Sequence, residues 1–327
     1  MQAHTKDSST LSPPSQRPRL DNAPSQQWIV QYYQPVKTAG VDRLPYHLIG
    51  WWVIIWEYLN PTQHDRLHLR RLCHLFKDSL KPPPPGIYTE FPHPNHTSLD
   101  SLINRMNVLH DEDPTKAPSI IFIAKGDHEI EGYFEDQNVG TADIIEPLHV
   151  PYLLIKYPLI IFGAGRDMTA IHGGGFSIEG SIDDRTQKVE VEGLTVSGTK
   201  GCGLHGNGGL VFACKDITFT KCESFGVGAW NTTGRLQNCV VTQCGYSGIF
   251  SGYDALIELE GIQTNVNGNV INGNVNHYGL NTYNDSAAIH LLSPLTKESV
   301  SANNVDGQNY GSCWGGGVIQ TIEALEA

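Results

Sequence analysis

Four short triplets return along the chain at a nearly constant step: Leu194-Thr195-Val196, Ile217-Thr218-Phe219, Cys239-Val240-Val241 and Ile262-Gln263-Thr264. Their last members, Val196, Phe219, Val241 and Thr264, are 23, 22 and 23 residues apart. A second register keeps the same step. Leu204, Val227 and Ile249 each follow a glycine and lie 23 and 22 residues apart, and Gly279-Leu280 and Gly311-Ser312 continue the series at longer intervals. Two registers with one period define a structural unit of about 22 residues made of short strands and Gly/Asn turns. Such a unit can bury its inward residues only against its neighbours, so the units must stack. The predicted fold is an all-β solenoid, a right-handed parallel β-helix with coils of about 22 residues. The LxxLxLxxN pattern of a leucine-rich repeat, the other architecture of similar period, is absent.

The strands begin near Ile120. Ser119-Ile120-Ile121-Phe122-Ile123-Ala124 and Leu159-Ile160-Ile161-Phe162-Gly163 are β-branched or aromatic runs, as buried parallel strands require. Upstream, Thr97-Ser98 can cap a short amphipathic helix with Leu99, Leu102, Ile103, Met106 and Leu109 on one face. Such a helix can plug the open end of a solenoid. The resulting division is a Ser/Pro/Gln-rich arm without apolar period over 1–40, a helical segment over 41–81, a Pro-rich linker over 82–96, the capping helix over 97–110 and the β-helix over 111–327. Residues 321–326 are read as a short closing helix.

The chain carries 22 Lys+Arg against 34 Asp+Glu, a formal charge of -12, which disfavours nucleic acid as a partner. The longest apolar stretch, Leu48 to Leu59, is too short to cross a bilayer, so no membrane partner is expected, and without a signal peptide an intracellular location, cytoplasmic or nuclear, is predicted. Seven cysteines form no CxxC and no Cys/His cluster with zinc spacing, so no metal and no cofactor is expected. Cys222 and Cys244, 22 residues apart, should stack as small inward thiols on adjacent coils.

The coils resemble the pectin-lyase-like superfamily of right-handed β-helices, over roughly Ile120 to Val318. That superfamily holds lyases, hydrolases, esterases, epimerases and pure binding modules, so the resemblance implies fold and leaves activity open. The segment Leu44 to Leu80 resembles an F-box, the helical module that docks on the Skp-type linker of a cullin ubiquitin ligase. Leu44 and Pro45 match its opening, Tyr58, Leu59 and Pro61 its centre, and Leu69, Cys73 and Phe76 its close. The spacing departs from the usual pattern: the gap from Leu44 to Leu59 is about three residues longer, and Cys73 is displaced by about two. The same segment also fits a helical cap that buries Trp51, Trp52 and Trp56.

A polysaccharide hydrolase needs paired carboxylates on one outward face. Asp183 and Asp184, followed by His205, are the weak candidates for such a site, and their surroundings resemble a polygalacturonase order only in part. Asn265 to Asn284 interrupts the period with an Asn/Gly-rich insertion. Around it Trp230, Tyr246, Tyr253, His277, Tyr278, Tyr283 and Trp314 could form an aromatic strip suited to a sugar ring or a peptide, or could simply pack the turns. The expected function is therefore a non-enzymatic recognition protein that couples a β-helix face to a ubiquitin ligase through the F-box-like segment. The alternatives are a carbohydrate-active enzyme of hydrolase or lyase type, and a structural component of a particle or surface layer.

Overall fold

The computed structural model describes residues 88–130, 133–135, 149–181, 185–273, 276–313 and 315–323. The arm over 1–40 and the F-box-like segment, with Leu44, Pro45, Tyr58, Leu59, Pro61, Leu69, Cys73 and Phe76, lie outside the described residues. So do Asp183, Asp184 and Trp314.

Each coil is built from up to three short strands joined by turns, and equivalent strands of successive coils pair in parallel. Among the described residues this gives three sheets of nine, six and eight strands. In the central coils the first sheet contains Lys188–Glu192, Val211–Lys215, Thr233–Gln237 and Leu256–Glu260. The second contains Thr195–Ser197, Thr218–Thr220 and Val240–Thr242. The third contains Gly175–Gly180, Leu204–Gly208, Val227–Trp230, Ile249–Gly252 and Leu280–Tyr283. Every pairing is parallel except that of Tyr133–Glu135 with His149–Ile155. The chain is a right-handed parallel β-helix.

The period seen in the sequence is the winding of the helix. Val196 pairs with Phe219 and Phe219 with Val241, and all three are buried in one column. The fourth member is Val266, which pairs with Val241, and not Thr264. The coil is two residues longer there, and the Thr264 hydroxyl turns back to donate to the Glu260 carbonyl. Likewise Leu280 pairs with Tyr310, two residues before Ser312. The last coil has no second-sheet strand; helical residues Lys297–Val300 stand between its first- and third-sheet strands, which moves the register.

Burial alternates along each strand. In Leu256–Glu260, Ile257 and Leu259 are buried while Leu256, Glu258 and Glu260 are partly exposed, as a pleated strand with one dry face must be. The corner before each third-sheet strand carries the repeating glycine for a steric reason. A Cβ on Gly226 would lie 2.7 Å from the Gly248 carbonyl and 2.2 Å from Val241, and one on Gly203 would lie 2.6 Å from the Gly226 carbonyl. At these corners successive coils approach backbone to backbone.

Cys202, Cys214, Cys222, Cys239, Cys244 and Cys313 are free and buried. Cys222 and Cys244 occupy equivalent places on adjacent coils, and their thiols donate to the Thr220 and Thr242 carbonyls. Burial pushes Cys202 up to about 11 and Cys239 up to about 12, which keeps these thiols protonated and unreactive.

The helix α1, Leu99–Glu112, is capped by the Ser98 side chain, which accepts from Ser101 N–H. Leu99, Leu102, Ile103 and Met106 join the same core as Ile121 and Leu153, so α1 covers the first coil's interior. Two elements differ from expectation. Tyr88–Phe91, within the stretch read as a linker, is the first strand of the first sheet and pairs with Ile120–Ile123. Residues 318–322, overlapping the stretch read as a closing helix, are the last strand, paired with Ala288–Leu292; there the β register of the preceding coil outweighs local helix propensity.

Candidate functional site

Because Leu204, Val227, Ile249 and Leu280 point inward, the residues that follow them point outward. Strand register therefore sets up two parallel outward rows on the third sheet. One row runs Ser177, His205, Gly228, Phe250, Asn281 and Gly311; the other runs Glu179, Asn207, Trp230, Gly252, Tyr283 and Cys313. Aromatic residues and glycines alternate between the rows, and each glycine leaves room for a neighbouring ring. A Cβ on Gly228 would meet the Trp230 indole at 2.4 Å, one on Gly252 the Phe250 ring at 2.7 Å, and one on Gly311 the Tyr278 ring at 2.6 Å.

The rings form a continuous strip. Tyr152 and His205 have centroids 6.3 Å apart, and His205 meets Trp230 edge-on at 4.6 Å. Trp230 lies 5.1 Å from Phe250, and Phe250 lies 6.1 Å from Tyr283. Tyr283 is 5.6 Å from Tyr253, which is 47% exposed. Along one edge Phe225 stacks on Phe250 at 4.7 Å and approaches His277 at 5.5 Å. His277 in turn stacks on Tyr246 at 4.6 Å with an interplanar angle of 12°. Such offset and edge contacts fix ring orientation. From the Tyr152 coil to the Tyr283 coil there are five strand spacings, a length of about 24 Å along the axis.

Of the residues singled out in the sequence, the structure brings together His205, Trp230, Tyr246, Tyr253, His277, Tyr278 and Tyr283 on this face. Tyr152, Phe225, Phe250 and the carboxylate Glu179 belong to it as well and were not singled out. Phe250 and Glu179 are readable once the inward register is known, each standing an odd number of residues after an inward one. Phe225 lies on a turn and Tyr152 on an early coil, and no period marks them.

Polar groups anchor the strip from beneath. Ser247 is fully buried, and its Oγ accepts from Tyr278 N–H at 3.3 Å and from Asn281 Nδ2 at 3.0 Å. With both lone pairs occupied, its hydroxyl hydrogen goes to His277 Nδ1 at 3.1 Å. Nδ1 must then be unprotonated, and His277 is a neutral imidazole carrying its hydrogen on Nε2. Burial acts in the same direction, lowering its pKa to about 4. At the other end Ser177 Oγ donates to Glu179 Oε1 at 3.2 Å. Glu179 and His205 are diagonal neighbours on adjacent coils, since Asn207 pairs with Glu179 and His205 with Ser177. A carboxylate, an imidazole and an amide thus share one end of the strip. Among the described residues no group of three or more His, Cys, Asp or Glu converges as metal ligands would.

The first sheet presents a different outer face. Lys215 pairs with Glu192 at 2.8 Å, Arg235 with Glu260 at 2.7 Å and Lys188 with Glu190 at 3.0 Å, so Glu260 is answered by a cation on the preceding coil.

No family model matches the chain, and no curated protein does. Solved structures do. The catalytic domain of a GH87 α-1,3-glucanase in complex with tetrasaccharides is similar at 13% identity and a TM-score of 0.37, covering 72% of this chain and 40% of that domain. The A-module of a mannuronan C-5 epimerase from Azotobacter vinelandii is similar at 12% identity and a TM-score of 0.27, covering 68% of this chain and 95% of that module. A further GH87 α-1,3-glucanase catalytic domain, in complex with nigerose, has a TM-score of 0.24 and 12% identity, covering 73% of this chain and 46% of that domain. These are carbohydrate-acting proteins and not ligase components, which overturns the expectation of a non-enzymatic ubiquitin-ligase adaptor.

Proposed function

We propose that this β-helix acts on a polysaccharide, which it binds along the outer face of the third sheet. The observation that supports the reading is the unbroken run of rings from Tyr152 through His205, Trp230 and Phe250 to Tyr283 and Tyr253. Trp230, Tyr283 and Tyr253, partly or well exposed and held in place by the buried Tyr152 and Phe250, suit the C–H faces of sugars, while the Asn207 amide and Glu179 carboxylate beside them suit hydroxyls. The coil spacing of about 4.8 Å is comparable with the length of one sugar in a chain, so successive rings can meet successive residues.

Chemistry belongs at the His205 end. Glycoside hydrolysis by the usual route needs two carboxyl groups flanking the scissile bond. Glu179 is one carboxylate on this face, and Asp183 and Asp184 follow it within five residues of sequence. In this proposal Glu179 serves as one of the two carboxyl groups, and His205 orients the sugar. The test has two parts. Affinity electrophoresis of the whole protein in gels containing individual polysaccharides should show retardation, reduced at least tenfold in affinity by Trp230→Ala. Incubation with the retarding polysaccharide should release reducing ends or unsaturated products, and Glu179→Gln should abolish the release. Absence of retardation by every polysaccharide refutes the reading.

A further inference from the structure

Resting on the saccharide reading above, we infer that the strip takes an uncharged polysaccharide and not a polyuronate, and that the chain lies along the axis of the β-helix. Direction comes first. The rings are distributed over successive coils, with one or two outward rings on each of the His205, Trp230, Phe250 and Tyr283 coils. A ligand that crossed the coils at right angles to the axis would meet at most two of them, whereas one running along the axis meets all.

The charge on this face decides the class. Across both outward rows of the third sheet, from Ser177 to Cys313, the described residues are aromatic, amide, hydroxyl, glycine, thiol and imidazole, with Glu179 as the single charged side chain. His277, at the edge of the strip, is held neutral by Ser247 and by burial. In the turns bordering the ringed coils, between 199 and 287, Lys200 and Lys221 stand against Glu223, Asp254 and Asp285. That is three carboxylates against two ammonium groups in these turns. Asp254 adjoins Tyr253 and Asp285 lies two residues after Tyr283, so these two rings carry acids beside them in sequence. A polyuronate would bring one carboxylate per sugar onto this face, and like charges at such separations repel. Recognition of carboxylates on a polymer calls for guanidinium forks or ammonium groups aimed at them, and the outward rows hold neither. Partly exposed rings such as Trp230 and Tyr283, with the Asn207 amide beside them, are the chemistry for stacking on uncharged rings and bonding their hydroxyls.

The experiment is titration calorimetry of the whole protein with two sets of oligosaccharides of matched length, one neutral (glucan, mannan and xylan fragments) and one acidic (polygalacturonate and alginate fragments), at about 50 and about 500 mM salt. The expected result is binding of at least one neutral series, with a Kd that changes less than about twofold with salt and weakens at least tenfold in Trp230→Ala. Tyr283→Ala, also partly exposed, repeats the measurement should the Trp230 variant fold poorly. Binding of an acidic series, weakened steeply by salt and by Trp230→Ala, overturns the charge inference while leaving the saccharide reading in place. Binding of neither series overturns both. Loss of neutral binding in Tyr283→Ala but not in Trp230→Ala overturns the axial arrangement, because an axial ligand must cross the central ring.

Discussion

Tyr253 is held in a conformation that tyrosine disfavours, and replacing it should stabilise the protein while weakening its ligand. Four successive coils leave the third sheet through one left-handed residue each: Gly208 (φ 87°), Asn231 (φ 52°), Tyr253 (φ 56°) and Asn284 (φ 69°). Glycine and asparagine visit this region readily, whereas other L-residues are disfavoured there by roughly 1–2 kcal/mol. Opposing that cost, the Tyr253 ring contacts Tyr283 at 5.6 Å, an aromatic pair worth about 0.5–1.5 kcal/mol at most sites and least at an exposed one. The ring is 47% exposed, so little further burial is lost on its removal. Tyr253→Asn should therefore raise the unfolding free energy by about 0.5–1 kcal/mol, the strain relieved less the pair lost. The reverse change at the equivalent place, Asn231→Tyr, should lower it by about 1 kcal/mol. Urea denaturation at unchanged m-value measures both, and calorimetry with the bound oligosaccharide should show Tyr253→Asn weakening affinity about fivefold, roughly 1 kcal/mol. Such an exchange of stability for function is the usual signature of a strained binding residue. A loss of more than 1 kcal/mol in Tyr253→Asn with unaltered affinity would show that packing holds the tyrosine, and the reasoning would fail.

Other consequences can be measured directly. His277 takes a proton near pH 6.5 when unfolded and only near 4 when folded, so between those values the unfolded chain binds the extra proton. Its contribution is fully present above pH 6.5 and declines as the pH drops toward 4, by on the order of 2 kcal/mol after allowance for partial exposure. The thermal midpoint should fall across that window, and less so in His277→Asn. Gly226→Ala, with its new methyl 2.7 Å from a backbone carbonyl, should cost at least about 3 kcal/mol or prevent folding. Gly198→Ala, left-handed but with open space around its Cβ, should cost only about 1 kcal/mol; equal losses at the two sites would refute the close-approach account of the corner. Phe219→Ala should cost about 3–5 kcal/mol by leaving a cavity in the column, read as a lowered denaturation midpoint. Native protein should resist alkylation at Cys222 and Cys244 for as long as it stays folded; labelling at the rate of free thiol would contradict their burial.

The fold was legible because inward positions must be apolar on every coil, and one missed residue does not erase a period. Val196, Phe219 and Val241 show it directly. The register failed where a turn changed length, since Thr264 is as compatible with a strand as Val266 and only the pairing distinguishes them. The strip was less legible because outward positions obey no packing rule. Trp230, Tyr246, Tyr253 and Tyr283 stood out by residue type alone, while Phe250 can be assigned to the outer row only once its neighbour Ile249 is placed inward. Glu179 was hidden in the same way, within a strand whose first four residues are buried. The expectation of a ligase adaptor came from a degenerate helical pattern over 41–81, joined to the lack of a complete catalytic constellation among the residues singled out on the β-helix.

The three outer faces of this one scaffold argue for the role of the third. Backbone geometry is common to them, so the choice of outward side chains is free of the constraint that fills the core. On the second sheet those positions are Thr195, Ser197, Thr218, Thr220, Val240 and Thr242, partly exposed residues that favour strands and ask for no partner. On the first, in the central coils, they include charges neutralised across coils, as in Lys215 with Glu192 and Arg235 with Glu260. Either solution would have kept the third sheet soluble. Instead it carries Trp230, Phe250, Tyr283 and His205, with glycines at Gly228, Gly252 and Gly311 that give up strand stability to make room for the rings. A sheet that needs neither outward rings nor outward glycines to fold, yet bears both in register over successive coils, has the outer face that the proposed binding role requires.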